Sequence, residues 1–266
     1  MAKKRLDIVV FERGLAESRQ KAQALIMAGE VFSGDRKLDK AGMAVSEDIP
    51  LEVRGNSLRY VGRGGLKLEK AINAFSLDLS GRIAADIGAS TGGFTDCMLQ
   101  NGASKVYAVD VGYGELAWKL RSDERVVVLE RTNARYLDHT QIPDELDFAS
   151  IDVSFISLKL IFPAVHALLK ENGQVVSLIK PQFEAGRELV GKKGIVRDPH
   201  VHKMVLEQYL ENAENAGFSV LNLTYSPITG QEGNIEYLGF LEKGAGRSRE
   251  IDLQAVIDES HAALKG

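Results

Sequence analysis

Arg82-Ile83-Ala84-Ala85-Asp86-Ile87-Gly88-Ala89-Ser90-Thr91-Gly92-Gly93-Phe94 is the stretch whose reading decides the fold. After Arg82 its first half is apolar on both faces apart from one acid, the pattern of a strand buried inside a parallel sheet. The glycine-rich half lets the backbone turn sharply and come close to a ligand. Residues 95–101 then read as a helix. Working outward, strand-like runs cover 105–110, 126–130, 146–152, 174–180, 218–225 and 235–241, with helix-length stretches at 114–122, 156–170 and 199–216. This alternation predicts an α/β fold with a Rossmann-like, doubly wound, mostly parallel sheet. The last two strand runs have no helix between them, so one is expected to run antiparallel at the edge.

In such sheets ligands bind beyond the carboxyl ends of the strands, beside the first strand's loop. That makes Asp86, Gly88, Ala89, Ser90, Thr91, Gly92, Gly93 and Phe94 candidate cofactor residues. Asp110 ends the next strand, and a carboxylate there can accept hydrogen bonds from the ribose hydroxyls of an adenosine. A dinucleotide needs G-x-G-x-x-G spacing to seat its pyrophosphate on a helix N-terminus. This loop is G-x-x-x-G-G, and Asp86 would oppose a pyrophosphate. S-Adenosylmethionine carries a sulfonium and an ammonium, which acidic walls suit, so it is the expected cofactor. Asn133 and Ala134 follow the third strand, where such folds contact adenine; Asn133 would equally serve to cap a turn.

Four charged residues are read at strand ends or entries on one face of this sheet: Lys67, Asp152, Lys180 and Glu236. A hydroxyl that attacks a sulfonium methyl must lose its proton. A lysine accepts that proton only when neutral, which burial and a nearby cation promote. Carboxylates then orient the amines. Each residue also has an ordinary reading: a solvated lysine, an edge-strand glutamate, or an aspartate capping the next helix.

Residues 1–70 hold 14 Lys/Arg against 10 Asp/Glu, although the whole chain has a net charge of -4. A basic front on an acidic body points to a module that meets a polyanion. Residues 5–58 read as that module, with helices over 6–13 and 19–28, Ser18 as an N-cap, a turn at Ser33-Gly34-Asp35, and short strands around Val31 and over 49–53. Arg5, Arg13, Arg19, Lys21, Arg36, Lys37 and, further on, Arg63 suit phosphate contacts, which position a polyanion without reading its sequence. A linker is expected over 56–66 with Gly62-Arg63-Gly64-Gly65 as its flexible part, so the second domain is read as 59–266.

One cysteine, Cys97, excludes a disulfide framework and a multi-cysteine zinc site. It reads as a small buried hydrophobe. The five histidines show no metal-ligand spacing, so no metal is expected. No stretch approaches the roughly 20 apolar residues that cross a bilayer, and the basic start lacks a signal h-region. A cytoplasmic protein without membrane insertion is expected, and nothing in the sequence fixes an oligomeric state. Gly191-Lys192-Lys193-Gly194, followed by Arg197, reads equally as an RNA-clamping loop and as a solvated turn.

Arg5-Leu6-Asp7, Gly14-Leu15, Ser18-Arg19, Ala22, Leu25-Ile26, Gly29-Glu30-Val31 and Gly34 resemble the small RNA-binding domain named after a small-subunit ribosomal protein, the S-four domain. Phe32 and Ser33 depart from its usual valine and asparagine. The region from about 60 to 243 resembles the ribose 2′-O-methyltransferases that include the heat-shock enzyme FtsJ, marked by a Lys-Asp-Lys-Glu tetrad. By that resemblance Lys180 is the base, supported by Lys67, Asp152 and Glu236. The motifs Arg63-Gly64-Gly65-Leu66-Lys67-Leu68, Asp152-Val153-Ser154-Phe155-Ile156-Ser157 and Lys180-Pro181-Gln182-Phe183-Glu184, joined to the front domain, are similar to the TlyA family. The resemblance implies S-adenosylmethionine-dependent 2′-O-methylation of cytidine in ribosomal RNA, with ribosomal RNA or ribosomal subunits as partners. Many members carry the label haemolysin, so a cytolytic activity is one alternative; a non-catalytic assembly factor is another.

Overall fold

A computed structural model of the protein describes residues 3–16, 18–34, 36–53 and 59–264. The chain divides into two compact units, Met1–Arg59 and Tyr60–Gly266. Residues 54–58, which end the expected first domain and of which 56–58 open the expected linker, and Asp35 of the expected turn lie outside the described residues.

The first unit runs β1 (Lys3–Arg5), α1 (Leu6–Glu12), α2 (Arg19–Met27), β2 (Val31–Ser33), β3 (Arg36–Lys37), β4 (Ala44–Ser46) and β5 (Glu52–Val53). β1 pairs with β4, while β2 sits between β3 and β5. Leu6, Val10, Ile26 and Val31 are fully buried between these pieces. The Ser18 hydroxyl accepts from the Lys21 amide at 3.1 Å and caps α2, a contact that contributes about 1 kcal/mol. The strands β1, β3 and β4 were not expected; two or three residues are too few to show an alternation.

The second unit runs α3 (Gly64–Phe75), β6 (Ile83–Ile87), α4 (Gly93–Gln100), β7 (Lys105–Val109), α5 (Trp118–Arg121), β8 (Val126–Leu129), β9 (Leu146–Ile151), α6 (Phe162–Leu168), β10 (Leu169–Ile179), α7 (Pro181–Glu184), α8 (Pro199–Asn215), β11 (Phe218–Tyr225), β12 (Tyr237–Lys243) and α9 (Leu253–Ala263). Seven strands form one sheet in the order β11-β12-β10-β9-β6-β7-β8. β6 pairs in parallel with β7 and β9, which puts the glycine loop at the middle of the carboxyl edge. Phe162, Val165, Leu206 and Ile257 build one core, so α6, α8 and α9 cover one face. Leu68, Met98 and Leu120 build the other, under α3, α4 and α5.

Three expectations are corrected. The antiparallel strand is β12, and it lies inside the sheet between β10 and β11, pairing antiparallel with both. The return from β11 through 226–236 is short, so β12 pairs directly beside β11 and fills the slot next to β10. The stretch 114–122 is helical only over α5, because Gly114 holds a φ of +79°. Most consequentially, Gly64-Gly65 is not a loose linker but the start of α3. A Cβ on Gly65 would lie 2.3 Å from the Tyr60 ring, so the glycine permits close packing there.

Candidate active site

The site begins where β6 ends. Gly88 has a φ of +91°, and a Cβ on it would lie 2.3 Å from the Asp152 carbonyl oxygen. Only glycine lets the loop after β6 and the loop after β9 approach so closely. Asp86 is fully buried and turned away from the opening. Its carboxyl accepts from the Thr95 amide (2.8 Å), the Thr95 hydroxyl (2.7 Å) and the Ser150 hydroxyl (3.2 Å). Burial, reinforced by the charge of Asp152, pushes this carboxyl up to about 7 against those hydrogen bonds. Asp86 therefore ties the first turn of α4 to β6 and β9. Gly92 stands beside it as the left-handed N-cap of α4.

The four charged residues form two ion pairs, in which Lys67, Glu236 and Lys180 are buried and Asp152 is partly exposed. Lys180, one residue beyond β10, holds Asp152, one residue beyond β9, at 2.5 Å. Lys67 holds Glu236, the residue before β12, at 2.6 Å. Three of the four sit at strand ends or entries; Lys67 does not, since it projects from α3. Its helix was hidden by the two glycines that start it. Lys67 and Asp152 line one cavity of about 360 Å³, so both pairs meet at its wall. Glu236 lies directly beneath Gly230 of the same wall, whose Cβ position it occupies.

Gly88, Ala89, Ser90, Thr91, Gly93 and Phe94 line that cavity, as does the exposed Arg63. A second cavity of about 360 Å³ shares Gly88, Ser90 and Asp152 with the first and continues to Asp110, Asn133 and Ala134. Each Asp110 oxygen already accepts one bond, Oδ2 from the Ser90 amide and Oδ1 from the Gly112 amide, both at 2.7 Å. A carboxylate oxygen has room for another donor. Asn133 both lines the cavity and caps a 3₁₀ turn, accepting from the Arg135 amide at 3.1 Å. Asp86 and Gly92 line neither cavity; they support its wall. The sequence reading missed Glu115, whose carboxylate receives the Ser90 hydroxyl at 3.2 Å at the cavity's edge. It also assigned no part to Ser154, although the flanking Asp152 motif was the available signal. No helix is long and apolar enough to cross a membrane among the described residues.

In the first unit the basic residues divide in two. Arg5 and Arg19 each place a guanidinium nitrogen 3.0 Å from the buried Asp7 carboxylate while staying half exposed. Arg5, with Gln23 and Arg19, holds that carboxyl well below the usual range despite its burial. Arg13 donates to the Ile49 carbonyl at 2.6 Å and to that of Glu47. Lys21, Arg36 and Lys37 are exposed.

The profile of the FtsJ-like methyltransferases matches residues 60–243, and that of the S4 domain matches residues 4–48. The chain is 42% identical over 261 residues to the 16S/23S rRNA (cytidine-2′-O)-methyltransferase TlyA of Mycobacterium tuberculosis, covering 98% of this chain and 97% of that one. The chain belongs to the TlyA branch of the FtsJ-like methyltransferases. It is 54% identical over 269 residues to YqxC of Bacillus subtilis, named as a candidate rRNA methyltransferase, covering 99% of this chain and 96% of the relative. A solved structure of a candidate haemolysin from Streptococcus thermophilus matches with a TM-score of 0.79 at 48% identity, over 100% of this chain and 98% of that one.

In this FtsJ-like methyltransferase the methyl donor is S-adenosylmethionine, and the donor set fits it. One cavity offers the Asp110 and Glu115 carboxylates beside apolar Val111 and Ile156, which suits an adenosine. The other offers Asp152 beside a glycine-rich backbone wall, which suits a cationic arm. The two halves join at Gly88, Ser90 and Asp152.

Proposed function

We propose that the protein methylates the 2′-hydroxyl of a cytidine ribose in ribosomal RNA. The observation that carries this reading is the meeting of two lysine–carboxylate pairs, Lys180–Asp152 and Lys67–Glu236, on the wall of one cavity beside the glycine loop. The names of the curated relatives support ribosomal RNA and cytidine as the substrate. In this reading Asp110, Asn133 and Ala134 hold the adenosine, and Gly88, Ala89, Ser90, Thr91 and Gly93 form the floor. S-Adenosylmethionine supplies an electrophilic methyl on a sulfonium. That methyl would go to the 2′-oxygen, the sulfur keeping the electron pair of the broken bond, and Lys180 Nζ would take the hydroxyl proton. Asp152 holds that nitrogen in place, while the Lys67–Glu236 pair orders the opposite wall.

The basic residues of the first unit supply sequence-independent phosphate contacts in this reading. Arg5 and Arg19 are pre-aligned by Asp7, and Lys21, Arg36 and Lys37 are exposed; Arg63, of the second unit, lines the cavity and would add a further contact. Arg13, committed to two backbone carbonyls, contributes first to holding the unit together.

The test maps 2′-O-methyl groups on ribosomal RNA from cells with and without the protein, then repeats transfer in vitro. One cytidine-specific 2′-O-methyl should depend on the protein. Lys180→Ala and Asp152→Ala should lose transfer while retaining RNA binding. A base-methylated product would overturn the tetrad assignment.

A further inference from the structure

We propose that Ser154 is a positioning residue for the Lys180 amine, with Glu184 as the strut that keeps Ser154 in reach; this rests on Lys180 taking the ribose proton. Ser154 lies in the loop that leaves β9 at Asp152. Its Oγ accepts a hydrogen bond from Lys180 Nζ at 2.9 Å, on the same nitrogen that Asp152 Oδ1 approaches to 2.5 Å. A neutral amine has two N–H bonds and one lone pair, arranged tetrahedrally. With one N–H committed to Asp152 and the other to Ser154, the lone pair has a single direction left. Asp152 alone would let the second N–H and the lone pair exchange places by rotation about Cε–Nζ. Some orientations would then present a hydrogen, not a lone pair, to the ribose hydroxyl. The Lys180 side chain is only 10% exposed but Ser154 is exposed, so a water could take the place of the hydroxyl, though without the backbone attachment that fixes its direction. An uncharged hydroxyl also fixes direction without adding the second negative charge that favours the ammonium form.

The loop carrying Ser154 needs support. Phe155, the next residue, has a φ of +63°, a left-handed conformation that costs on the order of 1 kcal/mol for such a side chain. Glu184, at the end of α7, accepts from the Ser157 hydroxyl at 2.7 Å and from the Leu158 amide at 2.9 Å. It thereby ties the loop after β9 to the segment that begins at Lys180. Burial pushes its carboxyl up, against these two bonds. The Phe155 and Phe183 rings, 4.9 Å apart, join the same two segments. The Lys180–Ser154 spacing is thus set from both sides.

The experiment is single-turnover methyl transfer from labelled S-adenosylmethionine to ribosomal subunits from cells lacking the protein, followed from neutral to alkaline pH. Ser154→Ala should slow transfer about 10-fold or more, at the lower end of what a misaligned proton acceptor costs. Ser154 also lines the cavity that would hold the adenosine, so S-adenosylmethionine affinity is measured beside the rate. The loss should persist at saturating cofactor, and a loss confined to affinity would overturn the proposal. Ser154→Thr keeps the acceptor and should recover most of the rate. Ser154→Asp should move the rising limb of the pH–rate profile to higher pH, a displacement that a purely structural role would not produce. Glu184→Gln combined with Ser154→Ala should be less than additive; strict additivity would remove the strut. Wild-type transfer by Ser154→Ala, or an unmoved limb in Ser154→Asp, would overturn the proposal. Lys180→Ala, run in parallel, separates the two ideas. Transfer surviving in that variant removes the base assignment, whereas a dead Lys180→Ala beside an unaffected Ser154→Ala removes only the role of Ser154. If Ser154→Ala fails to fold, the threonine and aspartate variants still decide it.

Discussion

At the residue scale, the site depends on places where a single atom has no alternative position. Gly88 is one, since a Cβ there meets the Asp152 carbonyl at 2.3 Å on a backbone already at a φ of +91°. Gly88→Ala should weaken S-adenosylmethionine binding by about 10-fold or more and lower stability by about 1–3 kcal/mol, read by calorimetric titration and thermal melting. Unchanged binding would mean that the two loops can part without consequence. Asp86 is another. Its carboxyl is pushed up to about 7 by burial, whereas an unfolded aspartate ionises near 3.9. The native state therefore keeps its proton longer. The stability this gives is full below about pH 4 and is lost as the pH rises through about 7. Asp86→Asn cannot ionise, so its denaturation midpoint should fall less between pH 5 and pH 8 than that of wild type, both without cofactor. Equal falls would show that Asp86 does not titrate in the native state.

At the element scale, burial pattern and flanking residues decided what was legible. β6, β7 and β9 showed as apolar runs because they are buried on both faces, and Ser18 announced α2 as a cap that the fold uses. α3 stayed hidden because Gly64-Gly65 looks like a hinge, although Leu68, Ala71 and Ile72 behind it carry a buried helical face. Gly65 answers the Tyr60 ring and Gly64 lies against Phe94, packing that no local pattern reports. Lys67 was thus singled out for its charge and placed on the wrong kind of element, since it projects from α3. The packing of α9 was likewise unreadable, since it depends on a buried polar cluster. The Tyr237 hydroxyl lies 2.8 Å from His202 Nδ1 and 3.1 Å from the Ser260 hydroxyl, and His261 Nε2 reaches the same His202 nitrogen at 3.1 Å. His202 Nε2 meets the Val196 carbonyl at 3.1 Å. Burial holds the His202 ring down to about 4, with the Val196 bond opposing and the His261 charge adding. A histidine lowered in the native state contributes stability present above about pH 6.5, lost as the pH falls through about 4. Acid unfolding should therefore begin in this window, and His202→Gln should flatten the loss of stability between pH 6.5 and pH 4. The same steep acid slope in that variant would assign it to other groups.

At the scale of the whole molecule, two chemistries are divided between two units, each with its own core. The division was legible as a change in charge and in pattern, because a phosphate-binding surface must carry lysine and arginine while a nucleotide-binding sheet must alternate strand and helix. What could not be read was which basic residues are committed internally: Asp7, sixteen residues from Gln23 and twelve from Arg19, gathers both at one buried carboxylate. That commitment separates the basic set by role. Lys21, Arg36 and Lys37 are exposed, so replacing all three with glutamine in the full chain should leave folding and S-adenosylmethionine binding intact. It should weaken binding to ribosomal RNA and make the logarithmic salt dependence shallower by up to about 0.7 to 0.9 for each phosphate that is no longer neutralised. Asp7→Asn should act differently. Removing the charge that aligns Arg5 and Arg19 leaves two guanidinium groups facing each other over a buried amide, so this variant should lose stability first and RNA affinity as a consequence. Thermal melting beside a salt titration of RNA binding distinguishes the two. A triple glutamine variant with an unaltered salt slope would show that these three residues do not meet the RNA backbone and would move the phosphate-binding role to the arginines held by Asp7.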